Sequence, residues 1–128
     1  MDILLVDDNL LMQQVLERFL GSLGYVVTPA ARADEAVEQA RKRRPALILM
    51  DLHLPDCDGA DAIKLIRALP GCQYVPAIAM SGMDALDAGS LITSDFSMYL
   101  SKPIDLDEFE LAVRNVLSSH TPSADSAQ

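Results

Sequence analysis

Short, uninterrupted apolar runs recur along this chain, and they constrain its fold more than any other feature. Residues 3–6, 47–50 and 77–80 are apolar at every position, as in strands buried on both faces of a parallel sheet. A more polar run at 25–28 and a short one at 98–100 complete five predicted strands. Segments with helical periodicity separate them. The pattern predicts an α/β fold, a doubly wound five-stranded parallel sheet with helices on both faces.

Four helices are predicted from apolar residues at helical spacing. The first begins at Asn9, and the third ends before Gly71. The last has the clearest start, since Asp105 is a suitable N-cap with Glu108 three residues later. The expected apolar stripe of the first helix is Met12, Leu16, Phe19, Leu20 and Leu23, with Gln13, Gln14, Glu17 and Arg18 between them. The expected buried face of the last is Leu106, Phe109, Val113, Val116 and Leu117.

Two segments carry weaker patterns. Residues 84–92 have a helical rhythm, but Gly89, Ser90 and Thr93 lower the helix propensity, so a short helix is expected there. Residues 118–128 are rich in serine and poor in apolar side chains, which is typical of a disordered tail or linker. With 128 residues in total, the length predicts one domain over residues 1–117.

The charge balance excludes several classes of partner. Nineteen acidic residues against ten basic ones give a net charge of −9, which argues against direct nucleic-acid binding and against a polybasic membrane-surface protein. No stretch approaches the roughly 18 apolar residues of a membrane span. Cys57 and Cys72 show no metal-type spacing, which favours reduced thiols and a cytoplasmic location. The basic run 41–44 suits a helix C-terminus.

Polar side chains follow four of the predicted strands at the point where each strand ends. They are Asp7 and Asp8, Asp51, Ser81 and, one residue further on, Lys102. In an open parallel sheet, ligands bind outside the carboxyl ends of the strands. Clustered carboxylates repel one another unless a cation joins them, and Mg²⁺ is the cation that suits one or two carboxylates plus waters. The sequence therefore predicts a magnesium site at this edge.

These residues lie in motifs that resemble the receiver domains of response regulators in two-component signalling. The motifs are LVDDN at 5–9, MDLHLPDCDG at 50–59, MSG at 80–82 and YLSKP at 99–103. The match extends from residue 1 to about 117, nearly the whole chain. The resemblance implies a flavodoxin-like (βα)5 fold with strand order 2-1-3-4-5.

The resemblance also implies a role for each site residue. Asp51 matches the phosphoacceptor, which takes a phosphoryl group from a phosphohistidine of a histidine kinase or a histidine phosphotransfer protein. Asp8 matches the residue that binds Mg²⁺ directly, and Asp7 the acid that holds it through water. Together with Asp51, the backbone carbonyl of His53 would complete the protein ligands, and Lys102 would pair with the phosphoryl oxygens.

Signal output is implied by two further positions. Ser81 matches the hydroxyl that moves to bond the phosphoryl group, and Tyr99 matches the aromatic switch that turns inward with it. The chain would be a signalling phosphoacceptor that acts on a downstream protein effector, and not an enzyme. His53 and Met83 depart from the family at positions beside the path of hydrolytic water. We expect slow loss of phosphate, although a purely local fit of these side chains is equally open.

Apolar residues crowd the start of the first helix beside the acidic residues. Leu10, Leu11, Met12 and Val15 cannot all face inward at 3.6 residues per turn. Core packing is one explanation. The other is a docking patch for a kinase or phosphotransfer helix, formed by Leu11, Met12, Val15 and Ile104.

The sequence leaves open whether the chain depends on phosphate and whether it is part of a larger protein. The chain could be a receiver-like interaction module that works without phosphate, although such modules usually lack one of the acids or the lysine. It could also be a stand-alone receiver or a piece of a hybrid kinase or larger regulator.

Overall fold

A computed structural model describes residues 2–52, 59–81, 96–101 and 104–119 of the chain. Its centre is a five-stranded sheet in which every neighbouring pair is parallel. The strands are β1 (Asp2–Val6), β2 (Val26–Ala30), β3 (Leu47–Asp51), β4 (Ala77–Ser81) and β5 (Met98–Ser101). Their order is β2-β1-β3-β4-β5, which confirms the predicted fold class and strand order.

Four helices lie within the described residues. They are α1 (Leu10–Ser22), α2 (Ala33–Lys42), α3 (Gly59–Arg67) and α4 (Leu106–Ser119). The predicted cap of α4 is confirmed, since Asp105 Oδ1 accepts from the backbone N–H groups of Asp107 at 2.8 Å and Glu108 at 3.2 Å. Helix α4 continues to Ser119, two residues into the segment predicted as a tail or linker. The predicted helix at 84–92 and the rest of that segment, residues 120–128, lie outside the described residues.

The sheet separates two apolar layers because successive side chains of a strand point to opposite faces. One face holds Leu4, Val6, Ile48 and Met50 against the alanine stripe of α2 and the buried side of α3. The other face packs against α1 and α4, and its members include Ile3, Leu5, Leu47, Leu49, Leu16, Leu20, Phe109 and Val113. The rings of Phe19 and Phe109, 6.1 Å apart between centroids, join α1 to α4 in this second layer.

β2 forms one edge of the sheet, and it contains a proline. The strand runs to Ala30, two residues beyond the predicted segment, and its exposed and half-buried positions match the predicted half-exposed character. The Ala30 carbonyl faces β1, because it accepts from Asp7 N–H at 3.0 Å. Neighbouring residues alternate in direction, so the nitrogen of Pro29 faces away from the sheet.

Three positions differ from the sequence prediction. Leu23 was expected in the stripe of α1, but the helix ends at Ser22 and Leu23 is 37% exposed. Leu106 was expected on the buried face of α4, but it is 36% exposed, and Ala112 is buried instead. Gln13 was expected among the polar residues between the apolar positions, yet it is only 9% exposed. Both leucines lie at an end of their helix, Leu23 as the C-cap of α1 and Leu106 as the first residue of α4.

Candidate functional site

The predicted carboxylates meet at the carboxyl edge of the sheet. Val6 pairs with Met50 across β1 and β3, so Asp7 and Asp51 follow at the same level of the sheet. One carboxylate oxygen from each of Asp7, Asp8 and Asp51 lies within 4.8 Å of the others. The prediction that these three side chains converge is therefore confirmed.

Burial distinguishes the three acids. The side chains of Asp7 and Asp51 are 0% and 3% exposed, whereas Asp8 is exposed. Burying carboxylates in a small volume costs free energy unless charged or hydrogen-bonding groups stabilise them. The exposed Asp8 leaves the group open to solvent on one side, where an ion can enter. Their oxygens form the kind of donor set that a hard divalent cation such as Mg²⁺ takes.

The turn after β1 is fixed by local hydrogen bonds. Asn9 is the N-cap of α1, and its side chain accepts from Met12 N–H at 3.0 Å. Its own backbone N–H donates to Asp7 Oδ1 at 2.9 Å. Strand β1 is thus followed within three residues by a buried carboxylate, an exposed carboxylate and a helix start.

Gln13 is a site residue that the sequence analysis missed. Its Nε2 donates to the carbonyl oxygens of Asp7 and Ala30, each at 3.1 Å. A glutamine between apolar positions at helical spacing is usually exposed, so the pattern does not predict this contact. The contact is seen only when α1 is placed beside the ends of β1 and β2. Asn9 before an apolar helix is a recognisable cap, although its bond to Asp7 is not.

The other predicted site residues are described only in part. Ser81 ends β4, and its backbone pairs with Ser101 of β5. Its side chain, together with His53, Met83 and Lys102, lies outside the described part of the chain. Tyr99 on β5 is half-buried and packs against the core layer that α2 and α3 cover.

The predicted docking patch is exposed in part. Leu11 and Val15 are 72% and 42% exposed, and Leu10, which precedes them, is 63% exposed. Met12 and Ile104 are half-buried and pack against the layer between the sheet and α1 and α4. Among the described residues of α1, the exposed apolar side chains that follow the acids are therefore Leu10, Leu11 and Val15, which we call the α1 patch.

Comparison with known proteins identifies the family. The model of the response regulator receiver domain matches residues 3–114. An uncharacterized 14.6 kDa protein of Leptolyngbya boryana is 34% identical over 97% of this chain and 95% of its own length. Response regulator Rre1 of Synechocystis is 32% identical over 96% of this chain, but this chain spans only 54% of Rre1. The chain belongs to the response regulator receiver domain family of two-component signalling.

Solved structures agree with this assignment. The receiver domain of sensor histidine kinase PA1611 from Pseudomonas aeruginosa is 36% identical, with a TM-score of 0.84 over 91% of this chain and 97% of that chain. That structure holds a magnesium ion coordinated in its active-site cleft. Among the described residues, no helix of this chain is long and apolar enough to cross a membrane.

Proposed function

We propose that this chain is a phosphoacceptor in a two-component or phosphorelay pathway, with Asp51 as the residue that carries the phosphoryl group. The observation that supports this is the buried Asp51 carboxylate, which lies with Asp7 and Asp8 within 4.8 Å at the carboxyl edge of the sheet. Phosphoryl transfer depends on positioning and charge neutralisation, and this arrangement serves both when a cation is bound.

Mg²⁺ is the proposed cofactor. Asp8 and Asp51 would bind it directly, Asp7 through water, and the carbonyl of His53 would complete the protein ligands. The donor chemistry of the three acids supports this, as does the magnesium ion in the related receiver domain of PA1611. When bound, the ion neutralises the negative charge on the phosphoryl oxygens.

In the proposed transfer, a carboxylate oxygen of Asp51 forms a bond to phosphorus while the bond from phosphorus to the donor histidine nitrogen breaks. The imidazole keeps that electron pair, and the product on this chain is an acyl phosphate. Lys102 would pair with the new phosphoryl oxygens. The proposed donor is a histidine kinase or a histidine phosphotransfer protein. A segment that makes up 13% of the histidine-protein kinase BarA of Escherichia coli is 33% identical to this chain, so domains of this kind also occur joined to such kinases.

Output would pass through Ser81 and Tyr99. The Ser81 hydroxyl would bond the phosphoryl group, and Tyr99 would then turn inward. Tyr99 lines a surface groove of about 410 Å³ together with Leu111 of α4, which is 59% exposed. The groove is also lined by Glu108 and Asn115, so a change in Tyr99 would alter a mixed polar and apolar surface that a downstream protein effector can contact.

The α1 patch is the proposed docking surface for the phosphodonor. Its three exposed side chains lie on the first turns of α1, directly after Asp7 and Asp8. The first turn of α1 has no acidic residue, and no charged side chain interrupts positions 10–16. A partner helix that presents a phosphohistidine next to an apolar side could bury this patch while reaching Asp51.

The experiment that tests the proposal is phosphorylation by a small-molecule donor, such as acetyl phosphate, in the presence of Mg²⁺. We expect wild type to gain one hydroxylamine-labile phosphate, and the Asp51→Asn variant to gain none. Asp61→Asn, which changes an exposed aspartate of α3, is the matched control and should behave as wild type. A wild-type chain that takes up no phosphate would instead favour the phosphorylation-independent interaction module.

A further inference from the structure

The Gln13 side chain lies between α1 and the ends of two strands. Both of its partners, the carbonyl oxygens of Asp7 and Ala30, can only accept hydrogen bonds. The group that faces them must therefore be the NH2 of the amide, whose nitrogen lies 3.1 Å from each of the two carbonyl oxygens. Gln13 is 9% exposed, so both bonds are shielded from water.

The bond from Gln13 to Asp7 holds the backbone carbonyl of Asp7 rather than its carboxylate. The N–H of Asp7 donates to Ala30 at 3.0 Å, its carbonyl accepts from Gln13 at 3.1 Å, and its Oδ1 accepts from Asn9 N–H at 2.9 Å. Asp7 lies one residue beyond the end of β1, where its N–H still bonds to the carbonyl of Ala30 in β2. The glutamine adds a second restraint at the carbonyl of Asp7.

We infer that Gln13 is a positioning residue for the metal site, an inference that rests on the proposed binding of Mg²⁺ by Asp7, Asp8 and Asp51. Mg²⁺ accepts only near-ideal octahedral geometry, so its affinity depends on where the backbone places each carboxylate. Gln13 provides two donors without a positive charge. A lysine or arginine at this position would donate similarly but would repel the cation.

The test is the Mg²⁺ affinity of Gln13→Met, measured by titration calorimetry with MgCl2. Methionine keeps the length of the side chain and removes both donors. We expect affinity to fall at least about ten-fold, as is typical when a group that orients a metal ligand is removed. Gln14→Met changes the exposed neighbour on the same helix and should bind as wild type. Unchanged affinity in Gln13→Met would overturn the inference.

A purely structural role is tested with Leu16→Val. Leu16 is fully buried on α1, and its truncation destabilises the chain without removing any hydrogen-bond donor. If Leu16→Val loses as much Mg²⁺ affinity as Gln13→Met, the effect comes from general stability and Gln13 is not a positioning residue. If the wild-type chain itself binds no Mg²⁺, the proposed function is wrong. That result differs from one in which wild type binds Mg²⁺ and Gln13→Met binds it equally well, which would refute only the role of Gln13.

Two measurements keep the inference testable if Gln13→Met does not fold. Gln13→Asn retains the amide but is one methylene shorter, so it cannot reach both carbonyls, and its Mg²⁺ affinity should also fall. In the wild-type chain, the side-chain NH2 protons of Gln13 should exchange with solvent more slowly than those of Gln14. Equal exchange rates would show that the two hydrogen bonds are absent and would refute the inference.

Discussion

The two ends of the sheet differ in whether their charged side chains are buried or exposed. At the carboxyl end, Asp7 and Asp51 are buried beside one another, and the adjacent α1 patch is apolar and exposed. At the amino end, residues 41–44 are all basic and all exposed, and Arg43 reaches Asp2 across 3.4 Å. The clustered carboxylates form a donor set that suits a hard divalent cation. Exposed charges on the opposite end are solvated and contribute little to stability.

The largest expected difference between the ends is in the response to Mg²⁺. We expect Mg²⁺ at about 100 times its Kd to add about 2.7 kcal/mol to the free energy of unfolding of wild type. Asp7→Asn should lose most of this gain, because it removes one of the clustered carboxylates. Asp2→Asn, at the amino end, should keep it. Chemical denaturation with and without MgCl2 measures both, and an equal gain in all three chains would contradict the comparison.

The α1 patch gives the next largest effect. Leu11→Glu places a charge on its most exposed member, and we expect phosphotransfer from the cognate histidine donor to slow about ten-fold, the cost of losing a well-buried interface contact. Phosphorylation by acetyl phosphate should not change.

The matched control for the patch is Leu65→Glu. Leu65 is a 53% exposed leucine on α3, away from the α1 patch. The Leu65→Glu variant should be phosphorylated by both donors at the wild-type rate. Two results for Leu11→Glu would refute docking at the α1 patch. One is an equal fall in the rate of phosphorylation by both donors, and the other is a wild-type rate with both.

A smaller effect concerns the Cys72 thiol, which lies before β4 at the amino end and is 1% exposed. Burial raises the pKa of this thiol above its ordinary value of 9.0, and the nearby Arg44 and Arg67 partly oppose the change. The unfolded chain therefore loses its thiol proton first. The thiol's contribution to stability is complete below about pH 9 and is lost as pH rises through the folded pKa.

Comparison of wild type with Cys72→Ala measures this contribution. The alanine chain lacks the thiol, so the difference in unfolding free energy between the two chains should narrow from pH 8 to pH 10. The change should stay within about 1.4 kcal/mol for each unit of pKa difference. A difference that stays constant over this range would show that the thiol titrates equally in both states.

The smallest effect is expected at the basic run. Arg43→Ala removes a 3.4 Å ion pair between an exposed arginine and a partly exposed aspartate, and it should change the free energy of unfolding by no more than about 0.5 kcal/mol. Denaturation of both chains at low and high NaCl measures this. A loss of several kcal/mol would mean that the amino end depends on charge as the carboxyl end does.

The strands and the acid cluster could be predicted because each depends on a local pattern. Continuous apolar runs indicate buried parallel strands, and the residue after each run lies at the ligand-binding edge. Gln13 could not be predicted in this way. Its partners Asp7 and Ala30 are six and seventeen residues away, so its burial depends on how α1 packs over the ends of β1 and β2. Leu106 was wrongly placed because periodicity shows which face of a helix is buried but not whether its first turn is covered, and Leu106 is the first residue of α4.

The proline of the edge strand has a consequence for association between molecules. Residues of β2 alternate in direction, and Ala30 faces β1, so only Val27 and Pro29 direct their backbone groups outward. Since proline has no N–H, Val27 alone offers an outward donor on this edge. The loss of one outward donor makes this edge a poorer template for a strand of another molecule, which disfavours edge-to-edge association through β2.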